Sequence, residues 1–154
     1  MSLKKTIPFG VAFLFFFIAA FAAWYEGSGL VDDTFEWKHT AIITSWMNNG
    51  VVEKGNISQL DFFVYAIKFK PIFPIIMLIS SIYILVALGQ KLIKQERFVN
   101  MFVVSLGIFL LIGAIFLMDS PTAGAKAFMF SQLFIASLLI GYSVLRSTKK
   151  IQID

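Results

Sequence analysis

Glu36-Trp37-Lys38-His39 sets an acid three residues before the chain's single histidine, one helical turn apart. That spacing can hold a metal ion or relay a proton. A stable metal site wants three or four ligands. Only Asp32 and Asp33 stand nearby, and hard carboxylates suit a different ion than imidazole does. A solvated histidine is therefore the expectation, with no metal and no cofactor. Lys68 and Lys70, helped by Lys54, could hold a phosphate or lipid headgroup, although basic side chains at the end of a membrane span ordinarily snorkel. Asp119 and Lys126 bracket one turn and could pair across it. The remaining acids of this region, Asp32, Asp33, Glu36 and Asp61, are expected to solvate a surface.

Other chemistry is excluded by what the chain lacks. It has no cysteine, hence no disulfide, thiolate metal site or thiol redox centre. One histidine forbids a haem-binding pair. No HExxH, P-loop or Ser-His-Asp arrangement occurs. The expectation is a protein that is not an enzyme and that binds no nucleic acid.

The elements that position these residues follow from composition. Hydrophobic residues make up 58% of 154, with 18 Phe, and mean hydropathy is +0.83. A soluble domain of this length could not bury so much apolar surface. Four runs without a charged residue cover about 7–25, 71–89, 98–118 and 127–145. A helix of about 20 residues spans the roughly 30 Å of bilayer hydrocarbon. Backbone groups in lipid must be satisfied within each segment, so these runs must be helices. The fold class is an all-α integral membrane protein: one antiparallel four-helix transmembrane bundle, with short interfacial helices in the first extracellular loop. Pro8 and Pro71 stand at first turns, where a missing N–H does little harm. Pro74 predicts a kink one turn later.

Lysines and arginines orient the bundle. With the N-terminus in the cytoplasm, the inner segments carry Lys4, Lys5, Lys91, Lys94, Arg97, Arg146, Lys149 and Lys150. The outer segments carry Lys38, Lys54, Lys68, Lys70 and Lys126, but Glu26, Asp32, Asp33, Glu36, Glu53, Asp61 and Asp119 then lie outside too, and the short inner segments are all basic, which puts both termini in the cytoplasm. Lys4, Lys5, the first apolar run and Ala20-Phe21-Ala22 also resemble a secretory signal. The run is longer than a usual signal core, so it reads as a retained span.

The connection 26–70 is too long for a turn and too apolar for a linker. Phe35, Trp37, Ile42, Ile43, Trp46 and Met47 recur at roughly helical spacing. Asp33 with Glu36 forms a capping-box pattern. Asn48-Asn49-Gly50 is a turn signal; a β-hairpin across it, pairing Ile42-Ile43 with Val51-Val52, is the alternative to two helices. Ser58 and Asp61 could cap a second helix with Leu60, Phe63, Val64 and Ile67 as its apolar face. Lys70, before Pro71, predicts a break. Trp24, Tyr25, Trp37, Trp46 and Tyr65 are expected at headgroup depth as aromatic anchors.

Polar side chains within the spans are Ser80, Ser81, Tyr83, Ser105, Ser131, Gln132, Ser137 and Ser143, with Gln132 expected to face the bundle. The absence of buried acids and bases disfavours a proton pump or coupled carrier. Ala19 and Ala23, Ser137 and Gly141, and Gly107 and Gly113 offer close helix contacts.

The stretches Trp24-Tyr25-Glu26-Gly27-Ser28, Phe35-Glu36-Trp37-Lys38 and Asp61-Phe62-Phe63-Val64-Tyr65-Ala66-Ile67-Lys68 resemble a YjdJ-like family of small bacillar membrane proteins of unknown function. The resemblance covers about the first 90 residues and implies a Gram-positive cytoplasmic membrane. It implies no activity, substrate or catalytic residue.

Three functions follow as expectations. The first is a non-enzymatic polytopic membrane protein that acts through protein–protein interaction, as an accessory, immunity or stress-response component with a membrane-protein partner. The second is lipid or small-ligand binding in a pocket under the extracellular cap. Its candidate site residues are Trp24, Tyr25, Glu26, Trp37, His39, Trp46, Tyr65, Lys68 and Lys70. The third is an oligomeric pore, for which the spans are too apolar.

Overall fold

The computed structural model describes residues 3–151, and the side chains of residues 6–148. The side chains of Lys4, Lys5, Lys149 and Lys150, on which the orientation argument leans, fall outside the described residues. The chain forms α1 (Leu3–Gly27), a 3-10 turn (Ser28–Val31), α2 (Trp37–Thr40), α3 (Ile42–Met47), α4 (Gln59–Phe69), α5 (Ile72–Leu92), α6 (Glu96–Phe116) and α7 (Ala123–Ile151). Four helices are long and apolar enough to cross a membrane: α1, α5, α6 and α7. No strand occurs among the described residues, so the hairpin alternative at Asn48-Asn49-Gly50 gives way to helix.

Helix ends depart from the apolar runs where polar residues continue the helix. α1 begins at Leu3, which moves Pro8 from the first turn into the helix interior. α7 runs on past Leu145 through a polar stretch. Pro74 causes no break: it is the third residue of α5, in a turn whose N–H groups have no intrahelical acceptor. The predicted break at Lys70 is present, with φ −135° and ψ 59°.

The helices pack as two pairs, α1 along α5 and α6 along α7. The short 93–95 connection predicts that α5 and α6 are close neighbours. Their backbones stay farther apart than those of either pair, and side chains bridge the gap. The mid-span core joins Ile82 of α5, Leu110 of α6 and Ala136 of α7, flanked by Leu78, Val86 and Leu139. Ala19 and Ala23 are buried, whereas Ser137 and Gly141 face outward. Gly107 seats Ile140; a Cβ there would lie 2.9 Å from that side chain. Gln132 is buried as expected, opposite Gly113, and its Oε1 has no hydrogen-bond partner.

The 28–71 connection folds into a cap at one end of the spans. Helix α4 contacts α1, runs on into α5, and touches the start of α7. Two glycines permit this. A Cβ on Gly27 would overlap the Phe62 carbonyl, and one on Gly124 would overlap the Lys68 carbonyl. Backbone meets backbone at both points, so no side chain could be tolerated without moving α4. A small apolar core of Leu30, Ala41 and Phe62 fills the cap, with Trp24, Trp37, Val52, Ile57 and Tyr65 against it.

Candidate functional site

Asp61 lies in the first turn of α4 and is fully buried. Its Oδ1 accepts from the Ile43 N–H at 2.9 Å, and its Oδ2 from the Thr44 N–H at 2.8 Å and the Thr44 hydroxyl at 2.6 Å. These amides belong to the first turn of α3, whose own N-cap residue, Ala41, supplies no side-chain acceptor. Asp61 therefore caps α3 from another helix, serving donors that a helix start always leaves open. Thr44 Oγ1 in turn accepts from the Ser58 N–H at 2.7 Å. Ser58 caps α4 as expected, accepting from the Leu60 N–H at 3.3 Å; Asp61 takes no part in that cap. The far end of α3 closes with the Gly50 N–H on the Ser45 carbonyl at 2.8 Å and Asn49 at φ 51°. That is the left-handed cap which asparagine tolerates.

A second clasp forms at the other end of α4. Lys68 Nζ donates to Glu36 Oε2 at 2.8 Å and to Thr40 Oγ1 at 2.7 Å, and the Thr40 hydroxyl donates to Glu36 Oε2 at 2.8 Å. The Lys68 side chain is 13% exposed and that of Glu36 25%. The Lys68 hydrogen bond, joined by that from Thr40, holds the Glu36 carboxyl below its ordinary range and outweighs partial burial. Tyr65 shifts the other way: burial and the neighbouring Asp33 carboxylate raise its hydroxyl above the usual value. That hydroxyl donates to Asp33 Oδ2 at 3.2 Å. The expected capping box of Asp33 and Glu36 is thus replaced. Each side chain turns to α4, because a long-range partner on a packed helix satisfies it better than four residues of α2 can.

The candidate residues divide into two groups. Trp24 packs on Phe62, Trp37 Nε1 donates to the Leu30 carbonyl at 2.8 Å, and Tyr65 and Lys68 join the clasps. These four are half-buried and pack into the cap. Glu26 is half-buried. Tyr25, His39, Trp46 and Lys70 are exposed. Phe35 and Trp46 stand out most, 91% and 84% exposed. The expected apolar face of α4 is rotated as well. Asp61, Phe62 and Ala66 are buried, whereas Leu60 is exposed.

Asp119 and Lys126 are both exposed, and no ion pair joins them among the described residues. Nor is any group of three His, Cys, Asp or Glu residues placed to hold a metal there. At the opposite end of the spans, Asn100 of α6 accepts from the Ser143 hydroxyl at 2.7 Å and donates to Ser147 Oγ at 2.8 Å, beside Arg146 and Glu96 at 3.3 Å. Sequence reasoning missed Asn100, Thr40 and Thr44. The last two fall in different helices, Thr40 at the end of α2 and Thr44 in α3, so no single-helix spacing marked them.

The pattern of spans and cap defines a polytopic α-helical membrane protein. Residues 6–93 match the family described as a domain of unknown function, DUF4306, and the chain belongs to that family. It is similar to the uncharacterized protein YjdJ of Bacillus subtilis strain 168, 39% identical over an alignment of 97 residues that covers 58% of this chain and 89% of that protein. No solved structure matches.

Proposed function

We propose that the protein works without catalysis, as an accessory component whose cap binds another membrane protein on the outer face of a bacterial cytoplasmic membrane. One observation carries this reading. The cap's buried polar groups are spent on one another, yet Phe35 and Trp46 project almost wholly exposed. Protruding aromatics on a packed support are how interaction surfaces concentrate binding energy, because an aromatic ring brings a large contact area with only two side-chain torsions to fix. Three of the groups that could do chemistry are engaged structurally: Asp61 is sealed, and Glu36 and Lys68 neutralise each other. An accessory, immunity or stress-response role fits such a protein. A lipid or small ligand under the cap is the alternative, and exposed Lys70 supports it. Trp37, Tyr65 and Lys68, which would have walled that pocket, are committed to the cap interior.

Photo-crosslinking residues placed at positions 35 and 46, with position 138 on the span surface as control, test this in living cells. The expected result is one protein adduct shared by positions 35 and 46 and missing at 138. Lipid adducts alone from positions 35 and 46 would overturn the partner reading and favour the alternative.

A further inference from the structure

The family match ends at residue 93, in the connection between α5 and α6. The packing divides at the same place. Residues before it close a unit of their own: α1 on α5, the cap core, and the Asp61 and Lys68 clasps. Residues after it close another. Ile140 sits against Gly107, Gln132 against Gly113, Asn100 binds Ser143 and Ser147, and Arg146 meets Glu96. The two units touch through the mid-span apolar core, through the Phe102 ring lying where Gly89 has no side chain, and through Gly124 on the Lys68 carbonyl. The family match thus takes in the first two spans and the cap and leaves α6 and α7 outside it.

We infer that the face made by α4 and α5 is a docking surface for a two-helix membrane hairpin, and that in this chain residues 96–151 are its resident occupant, held by packing and not by the connecting peptide. Lipid gives no hydrophobic drive for this association, so it must come from close fit. The fit is visible: small residues at 89 and 124 admit a ring and a backbone carbonyl, and Ala125 and Ala136 of α7 are fully buried. Gly141 and Ser137, on the opposite side of α7, have no such role. The inference is independent of the partner proposed for the cap. It concerns the chain's own two units, and either can fail without the other.

The test uses the full chain with a protease site inserted in the 93–95 connection, purified in mild detergent and then cut. The two pieces are expected to co-elute in size exclusion. Gly124→Val should raise their dissociation by about fivefold to a hundredfold, since overpacking against backbone costs on the order of 1–3 kcal/mol. Gly141→Val, open to lipid, should change nothing. If uncut Gly124→Val does not remain monodisperse, Gly89→Val takes its place, aimed at Phe102 near the cut. Separation of the cut wild-type pieces would overturn the inference. So would co-elution that the chosen glycine variant leaves as tight as wild type.

Discussion

Asp61 carries the most consequential side chain in the cap, because three donors from α3 converge on one sealed carboxylate. Asp61→Asn would turn an amide NH2 toward at least one of those donors. The expected loss is about 3 kcal/mol of cap stability, the cost of unsatisfied buried groups. It should register as early proteolysis within 41–58 while the spans stay protected. Thr44→Val removes one bond and strands the Ser58 amide, so about 1–2 kcal/mol should go. Equal proteolysis of Asp61→Asn and wild type would refute the cross-helix cap. Glu36 adds a pH dependence. Its carboxyl titrates below the ordinary carboxylate range because Lys68 and Thr40 bind the charged form. Its stabilisation is complete above the unfolded value and fades as pH falls through the lowered one, so the cap should loosen on acidification past the ordinary carboxylate range. Glu36→Gln should flatten that acid limb of a proteolysis or melting profile. Little of this was legible beforehand. An acid three residues after Ser58 looks like a local capping partner, and only the packing of α3 on α4 redirects it.

At the scale of elements, the four spans were readable within a few residues. Lipid leaves a long apolar run no option but helix, so no tertiary information is needed. The cap helices were harder. A surface helix is read by assuming one buried face, but α4 touches α1, α2, α3 and α7 on several sides. Its buried set is then Asp61, Phe62 and Ala66, while Leu60, apolar and expected inside, lies exposed. The pairing of the spans was likewise hidden, since a short connection limits separation but does not choose which faces fit. Glycine decides where α4 can cross the ends of α1 and α7. Gly27 sits under the Phe62 carbonyl, so Gly27→Val should force α4 off the end of α1. The expected cost is about 2–3 kcal/mol, with loss of packing around Trp24. Tryptophan emission should shift to the red, because Trp24 and Trp37 would meet water. An unchanged emission maximum in a folded variant would show that α4 does not rest on Gly27.

For the whole molecule the open physical question is which end faces the cell interior, and charge placement gives a definite answer to test. The 93–95 connection and its flanks carry Lys91, Lys94 and Arg97, with Arg146 beside them, against the single acid Glu96. The cap end holds the acids, and two of its lysines are already taken, Lys54 by Asp32 and Lys68 by Glu36. Lys38, Lys70 and Lys126 also lie at the cap end, but the acids there outnumber its lysines, so net positive charge gathers at the connection, and short basic segments are retained in the cytoplasm. Because the chain has no cysteine, single introduced thiols report each side cleanly. Gly55→Cys lies in an exposed turn of the cap with open space around it, and Lys94→Cys lies in the connection. A membrane-impermeant maleimide should label position 55 in intact cells and position 94 only after permeabilisation. The reverse pattern would place the cap in the cytoplasm. It would also move the proposed partner there, since Phe35 and Trp46 go wherever the cap goes. Labelling of both positions in intact cells would mean that the connection is not sealed behind the bilayer, and the four-span arrangement would have to be abandoned.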